Sequence, residues 1–180
     1  LLLNTFAPHE MRARSASISV SVKSKVLDYA QLTKMRLAWL VVLSALTGYF
    51  FALDMAYINW VQIFILILGG FMVTGSSNAF NQIIEKDLDK LMNRTSDRPL
   101  PDGRMEVNEA FWVASILGVF GVALLWIGLN PLSGILGLLA LFLYVAIYTP
   151  LKRVGPIAVF VGAFPGAIPP MLGYVAATNE

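Results

Sequence analysis

Residues 110–151 read AFWVASILGVFGVALLWIGLNPLSGILGLLALFLYVAIYTPL, without one charged side chain. A helix crosses the ~30 Å of bilayer hydrocarbon in roughly 20 residues, so this stretch is about two spans long. Asn130-Pro131 divides it near its middle. Asn-Pro is a turn signal, and a proline inside a helix removes a backbone hydrogen bond, so two spans back to back are predicted. Buried soluble helices of this length need polar surface elsewhere to cover them. Here 57% of the 180 residues are hydrophobic and 13% charged, against about 25% charged in a soluble domain.

Outward from this run the pattern repeats. Leu37–Leu53, Met55–Ile84 and Val154–Asn179 are also free of charge. They predict a first span over about Leu37–Leu53, a second from near Tyr57 toward Asn81, and a fifth over about Val154–Ala177. The expected fold is therefore all-α, a polytopic transmembrane helix bundle. Pro156, Pro165, Pro169 and Pro170 predict a kinked or broken fifth span. Irregular backbone at membrane depth survives only when buried in protein or lining a cavity, so this span is expected to form a cavity wall. Gly118 and Gly121, and Gly134 and Gly137, have the spacing that lets helices approach closely. The frequency of glycine in membrane helices also accounts for any one such pair.

The thirteen Lys and Arg residues fall in three groups. Arg12, Arg14, Lys23, Lys25, Lys34 and Arg36 precede span one. Lys86, Lys90, Arg94, Arg98 and Arg104 follow span two, and Lys152 and Arg153 follow span four. With five spans all thirteen lie on one side of the membrane, which the positive-inside rule makes the cytoplasm, or the matrix of a mitochondrion. An integral membrane protein results, in the bacterial inner membrane or the mitochondrial one, with the lipid bilayer as partner. Membrane topology accounts for the basic residues, so no nucleic-acid partner is expected. Residues 1–30 are polar, basic and rich in serine, and are expected to form a disordered tail, with the membrane domain over 31–180. They lack the apolar stretch of a secretory signal; a transit peptide and a cytoplasmic tail both fit. The absence of cysteine excludes disulfide and thiol chemistry. His9 reads as a solvated tail residue.

Chemistry concentrates at the end of span two, in Asn78-Ala-Phe-Asn81-Gln-Ile-Ile-Glu85-Lys-Asp87-Leu-Asp89. At about 100° per helical residue, Asn78, Asn81, Gln82, Glu85 and Asp89 share one stripe, and Asp87 lies far from it. Carboxylate and amide oxygens suit magnesium, which takes one or two carboxylates and leaves positions for substrate phosphates. Asn81, Glu85 and Asp89 are thus candidate metal ligands and catalytic groups, with Asn78 and Asp87 secondary candidates. A solvated helix end, with Glu85 beside Lys86 and Lys90, is the simpler alternative. Acidic residues at a helix C-terminus oppose the macrodipole, which favours a functional reading. The loop that follows, Asn93-Arg94-Thr-Ser-Asp-Arg98-Pro-Leu-Pro-Asp-Gly-Arg104, supplies arginines suited to bidentate phosphate contact.

Asn81-x-x-x-Glu85-x-x-x-Asp89 resembles the first aspartate-rich motif of UbiA-type intramembrane prenyltransferases. Arg94-Thr-x-x-Arg98-Pro-Leu-Pro-x-Gly-Arg104 is similar to the segment that follows it there. Tyr148-Thr-Pro-Leu-Lys152-Arg153, the stretch Val161–Gly173 and Thr33-Lys34-Met-Arg36 resemble the branch of that family that farnesylates haem. The resemblance runs from about Leu32 to Thr178. Glu85 stands where the family more often has aspartate, and Met35 where it often has proline.

The resemblance implies a magnesium-dependent transfer of a farnesyl group from farnesyl diphosphate to protoheme IX (haem B), giving haem O. It implies diphosphate contacts from Lys34, Arg36, Arg94, Arg98, Lys152 and Arg153, and aromatic faces from Tyr144, Tyr148, Phe160 and Phe164 around an allylic cation. It also implies about nine spans and a second acidic motif. Only the first motif is present, so these residues alone are expected to be inactive. A family member that prenylates another aromatic acceptor is the nearest rival. A membrane carrier or assembly subunit is the rival from another class, but a carrier holds ionisable groups inside its spans.

Overall fold

The computed structural model describes residues 24–53 and 58–179. Tyr57, expected near the start of the second span, lies outside them. Helix boundaries follow local chemistry. A short helix α1 (24–32) ends at Thr33-Lys34, where Lys34 takes left-handed backbone angles (φ 49°, ψ 56°). The chain turns there into α2 (Met35–Ala52). In α3 (Trp60–Asp89), the Asn59 side chain accepts from the backbone N–H groups of Val61 and Gln62, which satisfies donors that a helix start leaves without partners. Helix α4 covers Val107–Gly128. Asn130 caps α5 (Pro131–Phe142) by accepting from the Ser133 N–H at 2.7 Å, and Pro131 fits the first turn, where no donor is needed.

After α5 the helix widens to a π segment, Leu143–Tyr148, and closes with one turn, α6 (Thr149–Leu151). Pro150 has no N–H to offer the preceding turn, and Thr149 donates to the Tyr144 carbonyl from both its backbone N–H and its hydroxyl, the latter at 2.8 Å. The last helix, α7, runs over Ile157–Thr178. It is continuous through Pro165, Pro169 and Pro170, with Pro156 at its start, so of the two alternatives expected, a kinked or a broken span, the break is excluded. Membrane helices tolerate proline where neighbouring groups take up the freed carbonyls.

Among the described residues five helices are long and apolar enough to cross a membrane, in agreement with the five expected spans. They close a ring in the order α2, α3, α4, α5, α7, with α7 returning against α2. Ala45, Tyr49, Leu66, Val73, Leu125 and Leu172 fill its centre. The closest crossing is α2 on α7: a Cβ at Gly173 would stand 1.7 Å from the Ala45 carbonyl oxygen, and one at Gly48 1.9 Å from that of Pro170. Gly118, Gly121, Gly134 and Gly137 also sit at tight contacts, where an added Cβ would come within 2.6–2.9 Å of a neighbour. Packing, not glycine frequency alone, accounts for them. Phe64, Trp112, Phe120, Ile127 and Phe160 face outward and exposed, as apolar side chains of a membrane protein do.

One geometric fact positions the site. The 30 residues of α3 extend about 45 Å, against ~30 Å of hydrocarbon. Its last turns therefore outrun the membrane core. They enter a second cluster of Leu32, Ala79, Leu100, Met105, Ala110 and Ala114, built by α1, α3, α4 and the loop between α3 and α4. Residues 24–30, part of the stretch expected as a polar tail, belong to this end. Asp28 is buried against Arg104 at 3.1 Å, and Lys25 pairs with Glu109 at 3.1 Å.

Candidate diphosphate and metal site

Helix α3 remains helical to Asp89, so the i, i+4 spacing holds and its polar residues share a face. Asn78, Asn81, Gln82, Glu85 and Asp89 are between 0 and 7% exposed, whereas Asp87 is exposed on the other side. Burying such groups is costly unless each finds a partner. The partners arrive from three other segments. Lys34, at the turn between α1 and α2, donates from Nζ to Asn81 Oδ1 at 3.1 Å. Lys152, just after α6, places its Nζ 2.6 Å from Glu85 Oε1. Arg98, in the α3–α4 loop, donates to Asp89 Oδ2 at 2.5 Å. Within the stripe the Asn81 amide donates to Glu85 Oε2 at 3.0 Å and to the Thr149 hydroxyl at 3.3 Å.

Glu85 is thus paired with a cation 67 positions away in sequence and not with Lys86 or Lys90. Three carboxylate or amide groups face three cations at one end of the bundle. Burial pushes the Lys34 ammonium down to about 8, and the nearby Arg98 and Lys152 charges add to this, against the pull of Glu85 and Asp89. An excess of positive charge, held out of water beside oxygen donors, is a place where an added anion is stabilised.

Arg98 is held by a folded loop. Thr95 is buried, and its hydroxyl donates to the Asp89 carbonyl at 2.9 Å, closing the end of α3. Leu100 and Met105 anchor the loop in the second core cluster. The other expected basic residues take different places. Arg153 donates to the Ile84 carbonyl at 2.6 Å and so braces the backbone of α3. Arg36 and Arg94 are exposed, and no ion pair is found for either among the described residues. Arg104 joins α1 to the loop through Asp28, Gln31 and Asp102.

A largely apolar cavity of about 410 Å³ opens between α2, α3, the π segment and α7, with Leu40, Ser44, Thr74, Asn78, Tyr144 and Pro165 in its wall. Gly162, Pro165, Gly166 and Pro169 make α7 the cavity wall that its prolines predicted. The cavity meets the polar stripe at two points. Asn78 lines it one turn from Asn81, and Tyr148 lines it next to Thr149, which bonds Asn81. Tyr144 and Tyr148 stack with centroids 5.4 Å apart. Phe160 and Phe164 instead pack edge to face on each other and lie 68% and 53% exposed, away from the cavity.

The donor set fits magnesium. Its oxygens are hard, and no group of three His, Cys, Asp or Glu converges among the described residues. Two carboxylates and an amide make an incomplete shell of the kind magnesium takes when substrate phosphates supply the rest. Asn81, Glu85 and Asp89 are the oxygen-bearing residues that meet the three cations along the buried stripe. Thr149, Gln82 and the Tyr144–Tyr148 pair belong to this region too. Thr149 was not among the expected site residues, and its only signal was its place in Tyr148-Thr-Pro-Leu-Lys152.

The model of the UbiA prenyltransferase family matches residues 41–180. Curated relatives named protoheme IX farnesyltransferase include one from Christiangramia forsetii, 53% identical over 153 residues, covering 85% of this chain and 50% of the relative. Another, from Flavobacterium psychrophilum, is 49% identical over 160 residues, covering 88% of this chain and 53% of the relative. The chain spans about half the length of the curated relatives it matches. Among solved structures, a UbiA homologue from Archaeoglobus fulgidus bound to DMAPP and Mg2+ aligns with a TM-score of 0.68 at 17% identity, over 83% of this chain and 53% of that one. That likeness carries the fold. A matched family model over most of its length, on a ring of membrane helices with a buried polar stripe, makes this chain a member of the UbiA prenyltransferase family.

Proposed function

We propose that the protein transfers a farnesyl group from farnesyl diphosphate to haem B, producing haem O, with magnesium as cofactor. One observation carries this: a buried row of oxygen donors, met by three cations, at the mouth of an apolar cavity. A cavity of this volume lies within the ~300–1,000 Å³ of ordinary ligand pockets. Its apolar wall suits a prenyl chain, and the charged rim suits a diphosphate. The relatives named protoheme IX farnesyltransferase support the choice of prenyl donor and acceptor.

Magnesium held by Asn81, Glu85 and Asp89 supplies Lewis-acid stabilisation of charge on the departing diphosphate. The chain's own cations do the rest. Arg98 and Lys152 pair with the carboxylates of Asp89 and Glu85, and Lys34 with the Asn81 amide oxygen. These three cations are the donors positioned to turn to phosphate oxygens when substrate arrives. Tyr144 and Tyr148 offer faces to the allylic cation and keep water from it. Arg36, Arg94 and Arg153 lack contacts with the stripe and are assigned to the membrane interface and to bracing α3. The basic end of the bundle is assigned to the cytoplasmic side of a bacterial inner membrane.

The test is direct. A protein carrying these residues at the full length of the curated relatives, given haem B, farnesyl diphosphate and magnesium, is expected to yield haem O by mass spectrometry, and these 180 residues alone are expected to yield none. Chelation should abolish the product and added magnesium should restore it. Persistent activity without a divalent ion would exclude the metal assignment, and turnover only with another aromatic acceptor would exclude haem.

A further inference from the structure

Two residues of the buried stripe meet no cation. Asn78 and Gln82 are 1% and 0% exposed, and both donate to backbone. The Gln82 amide nitrogen donates to the carbonyls of Gln31 at 2.9 Å and Leu32 at 2.8 Å. Asn78 donates to that of Thr33 at 3.0 Å. These are consecutive carbonyls at the end of α1, where a helix runs out of its own donors. The next residue is Lys34, whose left-handed angles (φ 49°, ψ 56°) are unfavourable for any side chain with a Cβ. Such a conformation persists only when its surroundings impose it. Lys34 Nζ then lies 3.1 Å from Asn81.

We infer that Asn78 and Gln82 are positioning residues, whose amides clamp the left-handed turn at Lys34 and thereby set its ammonium on the diphosphate site. The inference rests on the reading of that site given above. Gln82 shows the price of the arrangement: with its nitrogen committed to two carbonyls, its Oε1 is buried without a partner. A leucine or methionine would fill the same space with no such cost, so the donors are what the position requires. Asn78 is accordingly assigned to the turn and not to the metal. The clamp also explains why two amides stand one turn apart on α3. They reach three successive carbonyls from one helix face.

The experiment uses the full chain in detergent, with magnesium and inorganic pyrophosphate as the probe in calorimetry. Lys34→Met should weaken binding about tenfold, the loss of one charge-assisted contact. Gln82→Met should cost about as much, and adding it to Lys34→Met should cost less than about twofold more, because both act through one ammonium. Hydrogen exchange of the 31–37 amides should rise about tenfold in Gln82→Met and stay unchanged in Lys34→Met. Multiplied losses in the double variant, or unaltered affinity and exchange in Gln82→Met, would overturn the inference. Should Gln82→Met fail to accumulate, Asn78→Ser removes one of the three bonds and is expected to show the same pattern, smaller; wild-type values there would also overturn it. A chain that binds no magnesium pyrophosphate overturns the reading of the site instead. That failure is told apart because exchange at the turn is read without ligand.

Discussion

Lys152 Nζ lies 2.6 Å from Glu85 Oε1 and ties the end of α6 to the last turns of α3. The pair joins two segments that pack beside the cavity, and it holds a cation on a carboxylate that the metal would otherwise use. Loss of Lys152 therefore leaves Glu85 buried without its cation and, on the proposed function, removes a contact to the diphosphate. Lys152→Met is expected to raise KM for farnesyl diphosphate about tenfold or more, while Lys152→Arg recovers most of the loss. Steady-state kinetics on a protein of the relatives' full length that carries the substitution decide it; an unchanged KM in Lys152→Met would remove Lys152 from the site.

Asp89 and Asp87 are two residues apart on one helix, yet only Asp89 is buried and paired, with Arg98. Asp89→Asn should reduce kcat/KM by about a hundredfold or more, the scale of losing a principal electrostatic group. Asp87→Asn should stay within about threefold of the parent, as surface substitutions usually do. Equal losses would mean that α3 unwinds before residue 87 when substrate binds.

Gly166 lines the cavity, and a Cβ there meets nothing within 4 Å. Gly166→Ala should be tolerated. Gly166→Phe should fill the space and raise KM for farnesyl diphosphate more than for a shorter prenyl diphosphate. If both donors suffer alike, the prenyl chain lies elsewhere.

Gly173 tests the fold separately from the chemistry. A Cβ there would overlap the Ala45 carbonyl oxygen at 1.7 Å, and that atom is backbone, so α2 and α7 must part. Gly173→Val is expected to destabilise the protein by about 3 kcal/mol or more, at the upper end of overpacking costs. Thermal unfolding in detergent, with Gly166→Ala as the control, gives the measurement. An unshifted midpoint would show that the two helices are not in close contact.

The span count and the polar stripe were legible because each depends on short-range regularities. Uncharged runs near 20 residues long and an i, i+4 spacing on a helix need no knowledge of the neighbours. The continuity of α7 was not legible in the same way. Its three internal prolines argue locally for a break, and the surrounding helices decide otherwise. The π segment over Leu143–Tyr148 also escaped local reading, since the bonds from the Thr149 N–H and hydroxyl to the Tyr144 carbonyl leave no mark in the residue spacing.

By itself, then, the sequence determined a helical membrane protein whose described residues hold five candidate spans, with an acidic motif and basic loops at one end of them. Hydropathy and charge act residue by residue, and a membrane sorts them along one axis. Which cation meets which oxygen was a tertiary matter. Lys34, Arg98 and Lys152 come from three separate loops and settle on Asn81, Asp89 and Glu85, whereas Arg36, Arg94 and Arg153 do not. Those choices depend on the left-handed turn at Lys34, the folded loop around Thr95, and the end of α6. Each is a backbone path fixed by packing against α3, and no spacing within one segment encodes it.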